Sequence, residues 1–167
     1  MKEKPIVSIA RCNSYDKEEV EEALEELLEP WDGLSQWGGK GKKVFLKLNL
    51  LLAASPDSAC TTHPIFTEAV IRAVQKTGAE VFFGDLPGGF HIGTAKTIYE
   101  KCGMNKVAEN TGANLVRLEN FGFRERPIPD GKKMKLIHTP KLLDEIQNHS
   151  RTLQAFVADC FDSVNAQ

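Results

Sequence analysis

The apolar residues of this chain fall into short continuous runs separated by longer segments of mixed polarity. A continuous apolar run of strand length, with few polar positions, is typical of a strand covered on both faces of a sheet. Four such runs predict strands at residues 6–10, 44–48, 80–84 and 114–118. A further segment at 133–138 follows a Pro-Asp-Gly turn signal and is predicted as an edge strand.

The segments between the predicted strands carry apolar residues at helical spacing. The first helix is predicted to begin at Asp16, with Glu19 three residues on as its reciprocal capping partner. A second helix is predicted to begin at Pro64 and to end at Gly78. Two short helices are predicted at 94–102 and 105–111. This alternation predicts an α/β domain whose mostly parallel sheet is covered by helices on both faces.

The pattern changes after Leu143, where the remaining residues become helical in spacing. Ser150 is placed to cap a helix whose apolar face carries Leu153, Phe156, Val157, Cys160, Phe161 and Val164. We therefore predict an α/β domain over residues 1–140 and a helical tail over 141–167 that packs on it or extends from it. Such a tail can cover a sheet edge or mediate dimerisation.

Composition narrows the class of protein. A chain of 167 residues, 41% hydrophobic and 26% charged, is predicted to bury one substantial core. Its net charge of −2 argues against a nucleic-acid-binding protein. Neither a signal-peptide pattern nor a run of about 18 to 20 apolar residues is present. The expectation is a cytoplasmic protein with neither nucleic acid nor a membrane as partner.

The four cysteines do not predict a metal cluster. Cys12, Cys60, Cys102 and Cys160 lie far apart, and none belongs to a C-x-x-C pair. Zinc ribbons and ferredoxin clusters need closely spaced cysteines, so neither can be assigned. Reduced thiols are expected, and the sequence names no cofactor, although a divalent metal remains open.

Polar residues at the end of the second predicted strand form the first candidate site. Lys47 and Asn49 are two residues apart, so on an extended chain their side chains point to the same side. An ammonium and an amide placed together can hold a carboxylate or phosphate. Alternatively, Lys47 extends to solvent from the sheet edge and Asn49 closes a turn.

The second candidate lies just before the helix that begins at Pro64. Thr61 and Thr62 precede His63, and either Thr62 or His63 is expected to cap that helix. Free amides at a helix start attract anions, and hydroxyl groups would strengthen such a site. His63 can instead act as general acid, general base or metal ligand.

The third candidate follows the strand predicted at 80–84. Asp85 precedes Gly88 and Gly89, whose missing side chains would let a ligand approach the backbone. Its carboxylate can orient a hydroxyl, bind a cation, pair with Lys47 or simply bond its own turn. Because loops after parallel strands gather at one sheet edge, we expect all three candidates to converge.

Several motifs together resemble a known family. They are Val7-Ser8-Ile9-Ala10-Arg11-Cys12, Lys47-Leu48-Asn49-Leu50-Leu51, Ala59 to Pro64, Gly78-Ala79-Glu80-Val81 and Gly84-Asp85-Leu86-Pro87-Gly88. Over residues 5–140 the chain resembles the N-terminal part of the family catalogued as domain of unknown function 362. The resemblance implies an α/β domain that is often associated with a ferredoxin-like iron–sulfur module, and it implies no agreed reaction.

The chain departs from the family pattern in three ways. Leu48 stands where the family commonly has proline, no ferredoxin module is present, and the helical pattern after Leu143 replaces a further strand and a second Lys/His motif. The resemblance therefore implies a truncated domain.

Two functions follow as expectations. The first is an enzyme-like domain that binds a small anionic metabolite, with or without a cation, and acts in redox metabolism with an iron–sulfur partner. In it, His63 and Asp85 are the candidate acid/base or cation pair. The ligand-binding residues would be Lys47, Asn49, Thr61, Thr62, Gly88 and Gly89. The alternative is a non-catalytic module that forms a homodimer through its C-terminal helix.

Overall fold

In a computed structural model, the protein is described at residues 6–87, 94–147 and 155–156. Single turns of 3-10 helix lie at Glu29–Trp31, Pro56–Ser58 and Leu118–Phe121. The helices and strands, in chain order, are α1 (Lys17–Leu28), β1 (Lys43–Lys47), α2 (Pro64–Lys76), β2 (Glu80–Gly84), α3 (Ala95–Lys101), α4 (Met104–Thr111), β3 (Asn114–Leu115), β4 (Phe123–Pro127), β5 (Leu136–Pro140), α5 (Lys141–Gln147) and β6 (Ala155–Phe156).

The central sheet is parallel and has the order β3-β2-β1-β6. Strands β1 and β2 pair along their full length, from Lys43 opposite Glu80 to Lys47 opposite Gly84. A separate antiparallel hairpin is formed by β4 and β5. The predicted α/β class with a mainly parallel sheet is therefore confirmed.

Side chains alternate between two apolar clusters, one on each face of the sheet. Leu46 and Phe83 belong to the larger cluster, which also contains apolar residues of α1 to α4. Phe45 and Phe82 point the other way and pack with a smaller cluster that includes Leu142 of α5. Helix cover over both faces stays a prediction, because among the described residues this second cluster includes one short α-helix.

Most predicted helix boundaries are confirmed. Asp16 caps α1 by accepting from the amides of Glu18 and Glu19. The Glu19 carboxylate does not complete the expected reciprocal bond to Asp16; it accepts instead from the Asn13 amide at 2.6 Å and the Ser14 hydroxyl at 2.5 Å. Helices α2, α3 and α4 form where they were predicted, as does the break between α3 and α4.

Two strand predictions need correction, and the hairpin contains a strand that was not predicted. Residues 6–10 form no strand in the structure, and Ile6, Val7 and Ile9 are 60%, 79% and 86% exposed. A strand needs a neighbour for its backbone amides and carbonyls, and none is provided for this segment by the described residues. The strand predicted at 114–118 is only two residues long, and β4 was not predicted.

The predicted tail helix is not confirmed. Helix α5 does occupy the start of the proposed tail. Further on, Ala155–Phe156 forms a short strand that pairs with the end of β1, where helix was expected. Residues 148–154 and 157–167, including Ser150 and Cys160, lie outside the described residues.

A buried carboxylate ties three helices together. Glu68 of α2 accepts from Lys17 of α1 at 2.8 Å, from Arg72 at 2.7 Å and from Asn110 of α4 at 2.9 Å. Burial raises the pKa of Glu68, but the hydrogen bonds from Asn110, Lys17 and Arg72 outweigh it and lower the pKa from 4.5 to about 2. The ionised carboxylate is therefore part of how α1, α2 and α4 pack.

Candidate functional site

The first and third sequence candidates meet at the carboxyl ends of β1 and β2. Lys47 lies opposite Gly84 in the sheet, and the Leu48 amide donates to the Gly84 carbonyl at 2.9 Å. This pairing places Asp85 beside the lysine, and the Lys47 ammonium contacts the Asp85 carboxylate at 2.5 Å. Of the alternatives that the sequence left open for Asp85, pairing with Lys47 is the one seen.

The Asp85 carboxylate is buried and holds two loops. Its side chain is 6% exposed. One oxygen accepts from the Leu86 amide and contacts the Lys47 ammonium, while the other accepts from the Leu50 amide, both amide bonds being 2.7 Å long. A carboxylate with these partners fixes the loops after β1 and β2 and orients the lysine between them.

Lys47 is anchored but open to solvent. Its ammonium binds Asp85 and the Leu48 carbonyl, yet its side chain is 45% exposed. An ammonium has three N–H donors. Within the described part of the chain these two partners leave one donor for a ligand or water. Asn49 is also exposed whereas Leu48 and Leu50 are buried, so Lys47 and Asn49 share the open side as predicted.

The second candidate joins the same loop through its backbone. The Thr62 hydroxyl accepts from the Asn49 amide at 2.9 Å, and the Thr62 amide donates to the Asn49 carbonyl at 2.9 Å. Since Asp85 holds the next amide, Leu50, the structure brings Lys47, Asn49, Thr62 and Asp85 together. Thr62 is 1% exposed, so its hydroxyl supports the loop from inside.

Thr61 is buried next to this junction. It pairs with Leu50 through an isolated antiparallel bridge and is 5% exposed. Its hydroxyl finds no hydrogen-bond partner among the residues that the structure describes. Buried hydroxyl groups are usually paired, so a polar atom of a bound ligand would supply the hydrogen bond that the Thr61 hydroxyl lacks.

His63 caps α2 and packs against the N-terminal segment. Its Nδ1 accepts from the Ile65 amide at 3.3 Å, and its ring stacks on Tyr15 with centroids 3.4 Å apart. Burial lowers the pKa of His63, an effect that the Asp57 carboxylate opposes. The ring is therefore neutral at pH 7 and, with Nδ1 accepting, carries its proton on Nε2. The cap was predicted, whereas the stacking on Tyr15 was not.

Two predictions for this site remain: the glycines at 88 and 89 and a bound divalent metal. Gly88 and Gly89 belong to residues 88–93, which are not described. Among residues 6–87, 94–147 and 155–156, no group of three His, Cys, Asp or Glu side chains is arranged to hold a metal ion.

Tyr99 is the site residue that sequence analysis missed. Its hydroxyl is fully buried, accepts from the Asp85 amide at 2.9 Å and lies 2.8 Å from the Asp85 carbonyl and 3.1 Å from that of Val116. Burial raises the pKa of Tyr99 to about 12, so the hydroxyl remains a donor. In the sequence Tyr99 is simply one apolar position of a short helix.

We expect Tyr99→Phe to destabilise the protein by about 2 kcal/mol, because the buried Asp85 amide loses its acceptor. Urea unfolding at pH 7 measures the change. The control is Thr77→Val, which removes a half-buried hydroxyl whose acceptor, the Val74 carbonyl, also accepts the Thr77 amide. If both variants lose the same free energy of unfolding, the role assigned to Tyr99 is wrong.

A family model described as a domain of unknown function, DUF362, matches residues 44–148, which is more than half of the chain. The chain belongs to this family. The match begins in β1 rather than near residue 5, where the resemblance was expected to begin, and it includes Lys47, His63 and Asp85.

One curated relative gives a further comparison. Thylakoid-associated protein sll1697 of Synechocystis sp. (strain ATCC 27184 / PCC 6803 / Kazusa) is 36% identical over 97 residues, which are 58% of this chain and 29% of that protein. The chain thus aligns with less than a third of the relative. No solved structure matches. Among the described residues, no helix has the length and apolar character to cross a membrane.

Proposed function

We propose that this DUF362 chain is an enzyme-like domain that binds a small anionic metabolite at the carboxyl ends of β1 and β2. The observation that carries the proposal is the Lys47 ammonium, which is held by a buried carboxylate and is still 45% exposed. A lysine fixed in this way costs little entropy when it binds a carboxylate or phosphate.

The geometry supports distinct roles for the surrounding residues. Asp85 positions Lys47, since its oxygens are already bonded to Leu50, Leu86 and Lys47 itself. Asn49 lies on the open side and can donate its amide to the ligand. His63, neutral with its proton on Nε2, is suited to donate a hydrogen bond to the ligand. The acid/base pairing of His63 with Asp85 stays a prediction.

The wider setting rests on the family resemblance. Action in redox metabolism, an iron–sulfur partner, a divalent cation and a cytoplasmic location all remain predictions. They become testable once a ligand is known, because its chemistry defines the reaction class.

A thermal-shift series tests the binding proposal. Wild-type protein is heated with phosphate, sulfate, malonate or citrate, and separately with Mg²⁺ or Zn²⁺. At an anion concentration about 100 times Kd, the midpoint is expected to rise by about 6 °C, because the ligand binds only the folded state. Lys47→Met should abolish that rise, whereas Lys96→Met, a change at an exposed lysine of α3, should retain it.

Three results would count against the proposal: no anion raises the midpoint, Lys47→Met responds as the wild type does, or Lys96→Met loses the same response. Asp85→Asn separates two roles for the carboxylate. If Asp85 positions Lys47, the variant binds the anion more weakly. If Asp85 does not position Lys47, anion affinity is unchanged or rises, because a negative charge next to the site has been removed.

The alternative function is self-association through the tail. Of that tail beyond α5, residues 155–156 are described, and they pair with β1 of the same chain. Light scattering after size exclusion, on the full chain and on residues 1–149, tests the alternative. A monomer in both cases rules it out, and a dimer that needs the tail supports it.

A further inference from the structure

The turn between β4 and β5 displays lysines and large apolar side chains next to each other. Lys132, Lys133 and Lys135 are exposed, and the intervening Met134 and the following Leu136 are 60% and 42% exposed. Residues 128–141 include four lysines and one acidic residue, giving a charge of +3 in a chain whose net charge is −2. Basic and apolar groups are thus concentrated in one element of an acidic protein.

The outer face of the hairpin extends the apolar part of this surface. Phe123 pairs with Pro140 and Pro127 pairs with Leu136, so these side chains share one face of the two strands, with the exposed Glu125–His138 pair between them. Phe123 on that face and Phe121, just before β4, are each 40% exposed. Exposed apolar side chains grouped in this way mark an interaction surface.

The hairpin is fixed at its other face. Arg124 and Arg126 both contact the carboxylate of Asp144 in α5, and the Lys141 amide donates to the Gly122 carbonyl at 3.0 Å. These arginines help to hold the hairpin on α5, and the turn adds three exposed lysines that can contact a partner.

The turn itself has a defined backbone. The Ile128 amide donates to the Lys135 carbonyl at 2.8 Å, and the Gly131 amide donates to the Ile128 carbonyl at 3.0 Å. A Cβ atom at Gly131 would lie 1.9 Å from the Met134 carbonyl oxygen, so the turn closes on that glycine. Lys132 to Leu136 are therefore presented on an ordered turn.

We propose that this surface, comprising residues 132–136 with Phe121 and Phe123, docks on an anionic lipid membrane. Lysines are attracted to anionic headgroups, and neighbouring apolar side chains insert at the boundary between headgroups and acyl chains. A nucleic acid would also attract the lysines. Its bases could stack on Phe121 and Phe123, but it would leave Met134 and Leu136 without a role, because aliphatic side chains do not form stacking platforms. This contact is peripheral, and it departs from the expectation that no membrane is a partner.

Vesicle co-sedimentation of the full chain tests the proposal. Vesicles of phosphatidylcholine alone are compared with vesicles of phosphatidylcholine and phosphatidylglycerol in equal amounts. The wild type should bind only the anionic vesicles. The triple variant Lys132→Gln, Lys133→Gln, Lys135→Gln should bind them about 100-fold more weakly, since each lysine near the surface contributes about fivefold.

The matched control removes three exposed lysines from other surfaces, Lys40→Gln, Lys96→Gln and Lys101→Gln. It has the same net charge as the first triple variant and should retain most of the wild-type binding. A double variant, Met134→Ser with Leu136→Ser, should make the remaining binding fully reversible by salt, because only the apolar contribution resists screening.

Several outcomes would overturn the proposal. They are equal binding to neutral and anionic vesicles, equal loss in the two triple variants, or no vesicle binding by the wild type. A DNA or RNA duplex bound by the wild type in the absence of vesicle binding would assign the lysines to nucleic acid instead. Circular dichroism of each variant verifies that it is folded.

Discussion

Gly84→Ala is expected to lower the free energy of unfolding by about 3 kcal/mol, because there is no space for a methyl group at this position. A Cβ atom there would lie 2.2 Å from the Val116 carbonyl oxygen and 3.2 Å from the Tyr99 hydroxyl. The obstructing Val116 carbonyl belongs to the backbone rather than to a flexible side chain. The added methyl group must therefore push β2 away from the segment after β3. Urea unfolding of both proteins measures the loss.

Gly112→Ala is the control for this prediction. Gly112 has a φ of +69°, and a Cβ atom there meets nothing within 4 Å, so only the left-handed backbone conformation is strained. That strain costs about 1 kcal/mol. The account of Gly84 is contradicted if Gly84→Ala costs no more than Gly112→Ala. It also predicts that Gly84→Ala weakens anion binding, since Asp85 and Lys47 move with the strand end.

Glu68→Gln is expected to cost about 2 kcal/mol at pH 7, and the cost should disappear in acid. A shift of the Glu68 pKa from 4.5 to about 2 corresponds to about 3 kcal/mol, reduced somewhat because Lys17 and Arg72 are partly exposed to solvent. The pKa is lower in the folded state. The stabilisation is therefore fully present above pH 4.5 and is lost as the pH falls towards 2.

Urea unfolding at pH 7, 5, 4 and 3 tests this dependence. The difference between wild type and Glu68→Gln should be constant from pH 7 to 5 and should shrink below 4.5. Glu25→Gln provides the control, because Glu25 pairs with Lys76 at 3.3 Å but both side chains are more than 70% exposed. It should cost less than about 0.5 kcal/mol. A Glu68→Gln cost independent of pH, or matched by Glu25→Gln, would refute the proposed role.

Local signals in the sequence were sufficient to predict most of the helices and the central strands. Pro64 and Gly78 mark the helix limits through backbone preferences that act within a few residues, and the apolar run at 80–84 defines β2. Strand pairing is not local. Residues 6–10 have a strand-like composition but find no neighbouring strand among the described residues, whereas Ala155 and Phe156 fit a helical spacing and pair with β1.

The candidate site was predictable to the same extent. Two-residue alternation placed Lys47 and Asn49 on one side, and the strand-end rule placed Asp85 next to Lys47. The roles of the buried polar groups could not be predicted from the sequence. Glu68 resembles any acidic residue on a helix surface until three helices meet at it, and the Tyr99 hydroxyl acquires its role only when α3 packs against the end of β2.

The central claim is that an anion binds at Lys47, and an amide NMR titration tests it most directly. Uniformly ¹⁵N-labelled protein is titrated with the anion that raises the thermal midpoint most. The account predicts saturable shifts of the Leu48, Asn49 and Leu50 amides in the wild type and in Lys96→Met. In Lys47→Met, once circular dichroism verifies that the variant is folded, the same amides should not shift. Shifts that persist in Lys47→Met, or that saturate only at amides remote from β1 and β2, would contradict the claim.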